Sequence, residues 1–387
     1  MLSDLGSRIS GIALPLLVLV ETHSPARAGI VGFAETLPLL VLTLPAGALV
    51  DRLNRKRVMV LTDAARCAAF AGLVAAVALG HVAYALIVAV ALVDGVGFVL
   101  FAISERAALP HVVTDEQLPT ALAQNQGREY AALLVGPPLG GVLFGVGRSV
   151  PFLANAVSYL VSVVSLLLVR KQLQEAREPR PRHLRREVVE GVRWLWHQPF
   201  VRTTSLLVMG SDFTLNSLYL TVIVLARHRG ASPSLIGAMF AFIGVGGILG
   251  ALAAPTLSTR LPTRVVVVAT MTLEAALVPL LIVVPGALGA GIVYGAMFVL
   301  HPTWGSVIMA YRMRLTPDPL RGRVTSVATL FSLGPVAFAM LAVGFLLQAL
   351  GTTPTILALT GVMLVVAMTA WTHPAIRHPP ELELQPA

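Results

Sequence analysis

The feature that most constrains this chain is a series of apolar runs, each about 20 residues long, recurring from one end of the sequence to the other. A helix rises about 1.5 Å per residue and the hydrocarbon core of a bilayer is about 30 Å thick, so one such run crosses it once. Twelve runs qualify: 2–20, 28–50, 56–79, 81–104, 118–147, 151–170, 200–225, 233–256, 264–284, 287–311, 324–349 and 352–371. Gly or Pro interrupts the fourth, fifth and tenth. With 56% hydrophobic and 12% charged residues, the 387-residue chain has too little polar surface to cover itself in water. An all-α integral membrane protein is the expected fold class. A single cysteine, Cys67, excludes a disulfide framework and a cysteine zinc site.

The basic residues orient the spans. Gly47 to Arg57 is a tight charged turn between the second and third runs, and it holds Arg52, Arg55, Lys56 and Arg57. Lys and Arg concentrate in loops that stay in the cytoplasm, which places this turn inside. Arg170, Lys171, Arg177, Arg180, Arg182, Arg185, Arg186 and Arg193 then fall inside in the central loop, as do Arg260, Arg264, Arg312, Arg314, Arg321 and Arg323. The outer connections hold only Arg27, Arg148, Arg227 and Arg229. Both termini are expected in the cytoplasm. The net charge of +9 follows this bias, with no basic face or aromatic groove for nucleic acid.

Six spans precede a polar linker and six follow, as in a tandem duplication. Thr114-Asp115-Glu116-Gln117-Leu118 before span five resembles Thr316-Pro317-Asp318-Pro319-Leu320 before span eleven, and Gly136-Pro137 resembles Gly334-Pro335. The expected units are an N-terminal six-helix bundle over 1–170, a cytoplasmic linker over 171–199, a C-terminal six-helix bundle over 200–371 and a cytoplasmic tail over 372–387. In the linker, Leu184, Val188, Val192 and Leu195 recur at helical spacing opposite Arg185, Arg186 and Arg193, beside Trp194 and Trp196. That pattern suits a helix lying on the inner leaflet or one packed against the bundle.

These residues resemble a family. Gly47 to Arg57 is similar to the loop signature of the major facilitator superfamily, Gly-x-Leu-Ala-Asp-Arg-x-Gly-Arg-Arg/Lys, with Val50 for Ala and Asn54 for the second Gly. Asn readily accepts a left-handed turn, so the second change is mild. The superfamily architecture, two six-helix halves around a midplane site, is described for such transporters in general. Asp63 and Arg66, Leu109-Pro110, Val150-Pro151-Phe152 through Ser158-Tyr159, and Glu190 through Trp196 resemble a bacterial exporter branch related to siderophore and macrolide efflux proteins. In span five, Gly136-Pro137-Pro138-Leu139-Gly140-Gly141 resembles a motif associated with exporting antiporters, where small residues allow close packing and proline a kink. Ala132 replaces a further Gly of its longer form. A tightly packed membrane helix uses Gly and Pro in the same way.

Two departures limit the resemblance. Ala91 stands where related drug/proton antiporters keep an arginine in span four, and Asp94 precedes Gly95-Val96-Gly97. The chain also begins almost inside span one, without the basic leader of relatives, so its start is expected to be shortened or misassigned. Ser7 occupies a position often acidic in relatives.

A charge at membrane depth costs about 2.5–3.5 kcal/mol even on lenient insertion scales and marks a functional candidate. Glu35, Asp94, Asp212 and Glu274 lie well inside spans. The resemblance implies that spans one, four, seven and ten line the cavity and that span nine is peripheral. That favours Asp94 and Asp212, with Asn216 and Tyr219 near one face of span seven, and His301 and Trp304 on span ten. It disfavours Glu274. Glu35 stands where relatives have a small or basic residue. Asp94 and Asp212 could equally be hydrogen-bonded packing groups, and a lone His301 could be a packing residue. Asp4 with Arg8, Glu105 with Arg106 and Arg128 with Glu129 are expected local pairs. By resemblance, Gly47, Asp51, Arg52, Arg55, Lys56 and Arg66 form a cytoplasmic gate, with Asp51 facing Arg66 or the start of span eleven.

No His/Asp cluster, Asp-rich loop pair or phosphate-binding Gly-rich loop is present, so neither an enzyme nor a nucleotide-driven pump is expected. Neither a metal nor a cofactor is expected. The resemblance implies a secondary active exporter of a small amphipathic molecule, working by alternating access with proton antiport, as a monomer in a bacterial cell membrane. Its partners are the small-molecule substrate, protons and the lipid bilayer. A nutrient importer is the alternative, ahead of a non-transporting receptor or a channel.

Overall fold

The computed structural model describes residues 2–114, 116–170, 173–174 and 184–380. The side chains of residues 2, 44–49, 51–52, 119 and 184–186 fall outside that description. The first six helices are α1 (Leu2–Thr22), α2 (Pro25–Arg52), α3 (Arg55–Ala78), α4 (Tyr84–Val112), α5 (Leu118–Val146) and α6 (Val150–Leu168). The linker carries α7 (Leu184–His197). Then follow α8 (Pro199–His228), α9 (Pro233–Arg260), α10 (Thr263–Leu277), α11 (Leu280–Val283), α12 (Gly286–Met297), α13 (His301–Leu315), α14 (Arg321–Leu350), α15 (Thr352–Thr372) and α16 (Pro374–Arg377). Twelve segments among the described residues are long and apolar enough to cross a membrane; α10 with α11 forms the ninth, and α12 with α13 the tenth.

Several details differ from the sequence expectation. The fourth and fifth spans are unbroken: α4 runs on through Leu109-Pro110, and α5 passes Pro137 and Pro138 without ending. Away from water a helix is the only local way to satisfy backbone groups, so each proline is absorbed at the loss of single bonds. The ninth span breaks instead, where Pro279 caps α11. The tenth breaks at 298–300, with Pro302 in the first turn of α13, where a missing N–H costs nothing. Asn54 is not left-handed: its φ is −70°, and its side chain accepts a hydrogen bond from the Arg57 N–H as the N-cap of α3.

Each set of six packs by the same scheme. Span one lies on span five (α1 on α5), span two on four (α2 on α4) and span three on six (α3 on α6). In the second set α8 lies on α14, α9 on α12 and α13, and α10 on α15. Two six-helix bundles result. Helix α7 is docked on the second: Leu195 is fully buried with Val201, Val327 and Ala328, and Gly191 meets the Arg323 carbonyl where a Cβ would stand 2.8 Å away. Arg323 pairs with Glu190. Val192, expected on the packed face, is exposed with Val189 and Trp196 on the outer side.

The bundles meet along two seams, α5 with α9 and α2 with α14. Both are tightest at the end away from the linker. A Cβ on Gly141 would lie 2.4 Å from the Pro233 carbonyl oxygen and 2.8 Å from the Gly237 Cα; one on Gly29 would lie 2.5 Å from the Met340 carbonyl oxygen and 2.9 Å from the Gly344 Cα. Only glycine lets backbones approach this closely. Ser24 on the first bundle donates to Gln348 on the second at 2.8 Å, closing the same end.

Gly237→Leu is expected to push the α5 and α9 ends apart by about 2 Å or more, read as the distance between spin labels at the linker-distal ends of these helices. Gly247→Leu on the same helix, where open space surrounds the Cβ position, leaves that distance unchanged.

Candidate functional site

The charged turn is built by helix ends. Arg55 is buried and donates through Nη1 to the Ala107 carbonyl at 2.7 Å and to the Leu173 carbonyl at 3.3 Å. Lys56 Nζ donates to the carbonyls of Val169 at 2.7 Å and Leu167 at 3.1 Å, at the C-terminal end of α6, where unpaired carbonyls attract a cation. The side chains of Gly47, Asp51 and Arg52 lie outside the described residues. Arg66 stands about 16 Å up α3 from the turn and is bound elsewhere.

That elsewhere is a buried polar knot joining four helices of the first bundle. Arg66 Nε donates to Asp94 Oδ1 at 2.8 Å, its Nη2 to Ser7 at 3.1 Å, and its Nη1 lies 3.5 Å from Asp63. The Tyr159 hydroxyl donates to the same Asp94 oxygen at 2.8 Å and lies 3.0 Å from Ser7. The guanidinium sits 4.1 Å over the Tyr159 ring. Gly97 makes room, because a Cβ there would stand 2.4 Å from Arg66 Cδ, and Gly95 brings α4 onto the Glu35 backbone carbonyl. Asp94 is thus enclosed and ion-paired. Sequence reasoning noted Ser7, Arg66 and Tyr159 separately but did not bring them together on Asp94.

Toward the linker end of the same bundle, Arg128 bridges Asp4 at 3.0 Å and Glu105 at 2.9 Å. Glu105 with Arg106 and Arg128 with Glu129 are adjacent along one helix and point apart, and the bridge forms across α1, α4 and α5 because facing helices bring long side chains together.

Between the bundles the groups are looser. Arg8 is exposed and Glu35 half-buried, and Glu35 lies within electrostatic reach of Arg8, Arg66 and Asp94. Tyr219 crosses from α8 to donate to the Gly11 carbonyl of α1 at 3.1 Å. Asp212 accepts from Ser332 of α14, and Asn216 Nδ2 donates to the Asp212 backbone carbonyl at 2.7 Å, leaving the carboxylate to Ser332. Trp304 is buried in the apolar core.

Glu274, which the sequence argument set aside, is 1% exposed and accepts from Ser211 of α8 at 2.6 Å. His301 Nδ1 lies 3.6 Å from its other oxygen. The helix carrying Glu274 faces inward at this level, and its isolated acid in an apolar run was the available signal.

The Gly-Pro motif has two contacts. Gly136 and Gly140 seat α5 on α1, where Cβ atoms would lie 2.3 Å from Arg8 Cβ and 2.6 Å from the Ile9 carbonyl oxygen. Gly141 faces the other bundle at Gly237. Ala132 is buried in the same helix.

Two six-helix bundles enclosing polar groups define a membrane transporter of the major facilitator type, not an enzyme. The family model described as "Transmembrane secretion effector" matches residues 1–386, and the chain belongs to that family. It is 31% identical to the multidrug efflux pump Tap of Mycobacterium tuberculosis (strain ATCC 25618 / H37Rv) over 98% of this chain and 92% of the relative. It is 26% identical to the staphyloferrin A transporter of Staphylococcus aureus (strain NCTC 8325 / PS 47) over 65% of this chain and 64% of the relative. Among solved structures, a mutant of the nucleoside transporter NupG superposes with a TM-score of 0.76 at 12% identity, covering 96% of this chain and 97% of that one.

Removing one partner of the buried ion pair strands the other in a medium that cannot solvate it. Arg66→Ala is expected to lower stability by about 3–5 kcal/mol, measured by thermal unfolding in detergent, while Arg66→Gln combined with Asp94→Asn recovers most of the loss.

Proposed function

We propose that the protein is a secondary active exporter of a small amphipathic molecule, driven by proton antiport and working by alternating access. The observation that carries this is the pair of glycine seams closing one end of the bundle interface, with Arg8, Glu35, Asp212, Asn216 and Tyr219 lying inward of them. Rocking of the bundles about such a midplane set exposes it to one side at a time. The units that rock are 1–170 and 200–371, joined by the linker at 171–199 and followed by a tail at 372–387.

The basic loops put the linker, the Asp51 turn and both termini on the cytoplasmic side of a bacterial cell membrane. The sealed end is then the outer one, and the conformation is open inward, ready to load cargo from the cytoplasm. Asp51 and its arginines serve as the latch of the opposite, outward-open state. Two of the four arginines of the outer connections have local partners that fit this topology: Arg148 pairs with Glu21 at 3.0 Å, and Arg229 donates to the Val284, Leu281 and Ile282 carbonyls around the end of α11.

Export as the direction is supported by the name of one relative, a multidrug efflux pump, and by the Gly136 to Gly141 motif. Glu35 and Asp212 suit a cargo with a cationic or hydrogen-bond-donating group on an apolar body. Protons serve as the coupling ion, and one chain suffices for the cycle because both bundles lie within it.

Cells lacking the protein are expected to accumulate ethidium or related lipophilic cations at least threefold above cells overexpressing it, on a panel of dyes and antibiotics. Collapsing the pH gradient abolishes the difference. Accumulation that rises on overexpression would replace export with import. Glu35→Gln and Asp212→Asn are expected to weaken export of cations more than of neutral compounds.

A further inference from the structure

We infer that the proton carried in each cycle is held by Glu274 and His301, a two-residue site in the second bundle between the broken ninth and tenth spans. The inference rests on the antiport proposed above.

Glu274 is almost fully enclosed at mid-depth of its span, and its two oxygens differ. One accepts from Ser211 at 2.6 Å; the other, Oε1, is buried with no hydrogen-bond partner. His301 Nδ1 is likewise buried without a hydrogen-bond partner, and the two orphans face each other across 3.6 Å. A buried acceptor opposite a ring nitrogen that can hold or lack hydrogen is satisfied by a hydrogen held between them, whether by the choice of tautomer or by an added proton. With one proton the pair is neutral, whether that proton sits on the imidazole or on the carboxyl, and with none it is an anion. A packing role would be met by Gln at position 274, which needs no such neighbour.

The backbone around the pair can move. Glu274 lies one turn before the Val278-Pro279 break, and His301 opens α13 directly after the break at 298–300. Discontinuous helices near the bilayer midplane are where transporters hold coupling ions. Helix α9 clamps the second break through glycine: a Cβ on Gly250 would stand 2.3 Å from the Val299 carbonyl oxygen, and one on Gly246 2.0 Å from that of Gly295. Because α9 also forms the seam with α5, opening that seam pulls on the helix that holds His301.

The surrounding charges link the site to cargo. From α8, Asp212 acts on His301, and Asp212 in turn feels both His301 and Glu274. From α14 only the neutral Ser332 hydroxyl approaches Asp212, and Tyr294 of α12 is committed to the Leu215 carbonyl. A cation arriving at Asp212 competes with a protonated imidazole for the same negative charge. Cargo loading then favours release of the proton into the cytoplasm, and proton return from outside favours release of cargo.

The full-length protein in lipid nanodiscs, carrying nitrogen-15 histidine, tests the site without any cargo. The His301 resonance is identified by its loss in His301→Gln. It is expected to titrate, and Glu274→Gln is expected to displace that titration by about one pH unit or more. A His301 signal that does not titrate, or that titrates identically in Glu274→Gln, overturns the proposal. In proteoliposomes with ethidium, Glu274→Gln and His301→Gln should abolish export driven by an imposed pH gradient while preserving exchange of ethidium across a gradient-free membrane; gradient-driven export that survives in both variants overturns it too. Absence of ethidium transport in the wild type counts against export of cations and leaves the resonance test to decide on the proton site. Should Glu274→Gln fail to fold, Glu274→Asp, which withdraws the carboxylate by one methylene, is expected to displace the same titration.

Discussion

The contact on which the first bundle depends is the ion pair between Arg66 and Asp94. A guanidinium in the middle of a bilayer is tolerated only where its charge is met at once, and here one carboxylate oxygen accepts from Arg66 and from the Tyr159 hydroxyl, both at 2.8 Å. Ser7 and Asp63 occupy the remaining donors. The knot therefore fixes α1, α3, α4 and α6 relative to one another by directional bonds, in an environment where apolar side chains give little preference for protein over lipid. Gly95 and Gly97 are its geometric condition, since a Cβ at either would collide with Glu35 or Arg66. Asp94 is committed to this framework, which leaves its bundle to move as one piece.

Glycine is distributed along the helices according to what each contact must do. Gly136 and Gly140 bring α5 onto α1 inside the first bundle, and Gly246, Gly291 and Gly295 bring α12 onto α9 inside the second. Gly29, Gly141, Gly237 and Gly344 instead face across the bundles. Along the same seams side chains also meet, Phe33 against Phe338 and Leu134 against Gly244, so the glycine contacts set the closest approach at one end. Backbone approach of this kind brings the two bundles closer than side-chain packing alone would allow.

Much of this was legible in the sequence, because hydropathy and helix length depend on the bilayer and not on the partners of any one residue. Twelve spans, the linker and the charged turn followed from that. The errors fell where a neighbour decides. Asn54 was read as a residue able to accept a left-handed turn and serves instead as an N-cap, because a helix begins at Arg55 and its first N–H groups need an acceptor. The break in the ninth span escaped notice because Pro279 sits in an apolar run no different from those around Pro137 and Pro335, which continue as helix. Arg128 was expected to find Glu129 and found Asp4 and Glu105 on other helices. Glu274 was disfavoured for its span number, and its contacts with Ser211 and His301 are ones that only tertiary packing brings together.

The two bundles differ in how their buried charges are held, and that difference bears on which part of the molecule can respond to a proton. In the first, Asp94 and Arg66 hold each other and share Tyr159 and Ser7, while one oxygen of Asp63 is left without a hydrogen-bond partner. In the second, Glu274 and His301 keep one atom each unsatisfied, and Asp212 leans on a single hydroxyl. Continuous helices carry the first set and interrupted helices carry Glu274 and His301. The first bundle thus holds its charged pair by directional bonds on continuous helices, and the second holds its acid and imidazole beside helix breaks. On the alternating-access reading proposed above both properties are needed, because a response to protonation moves one bundle against the other only if that other does not yield.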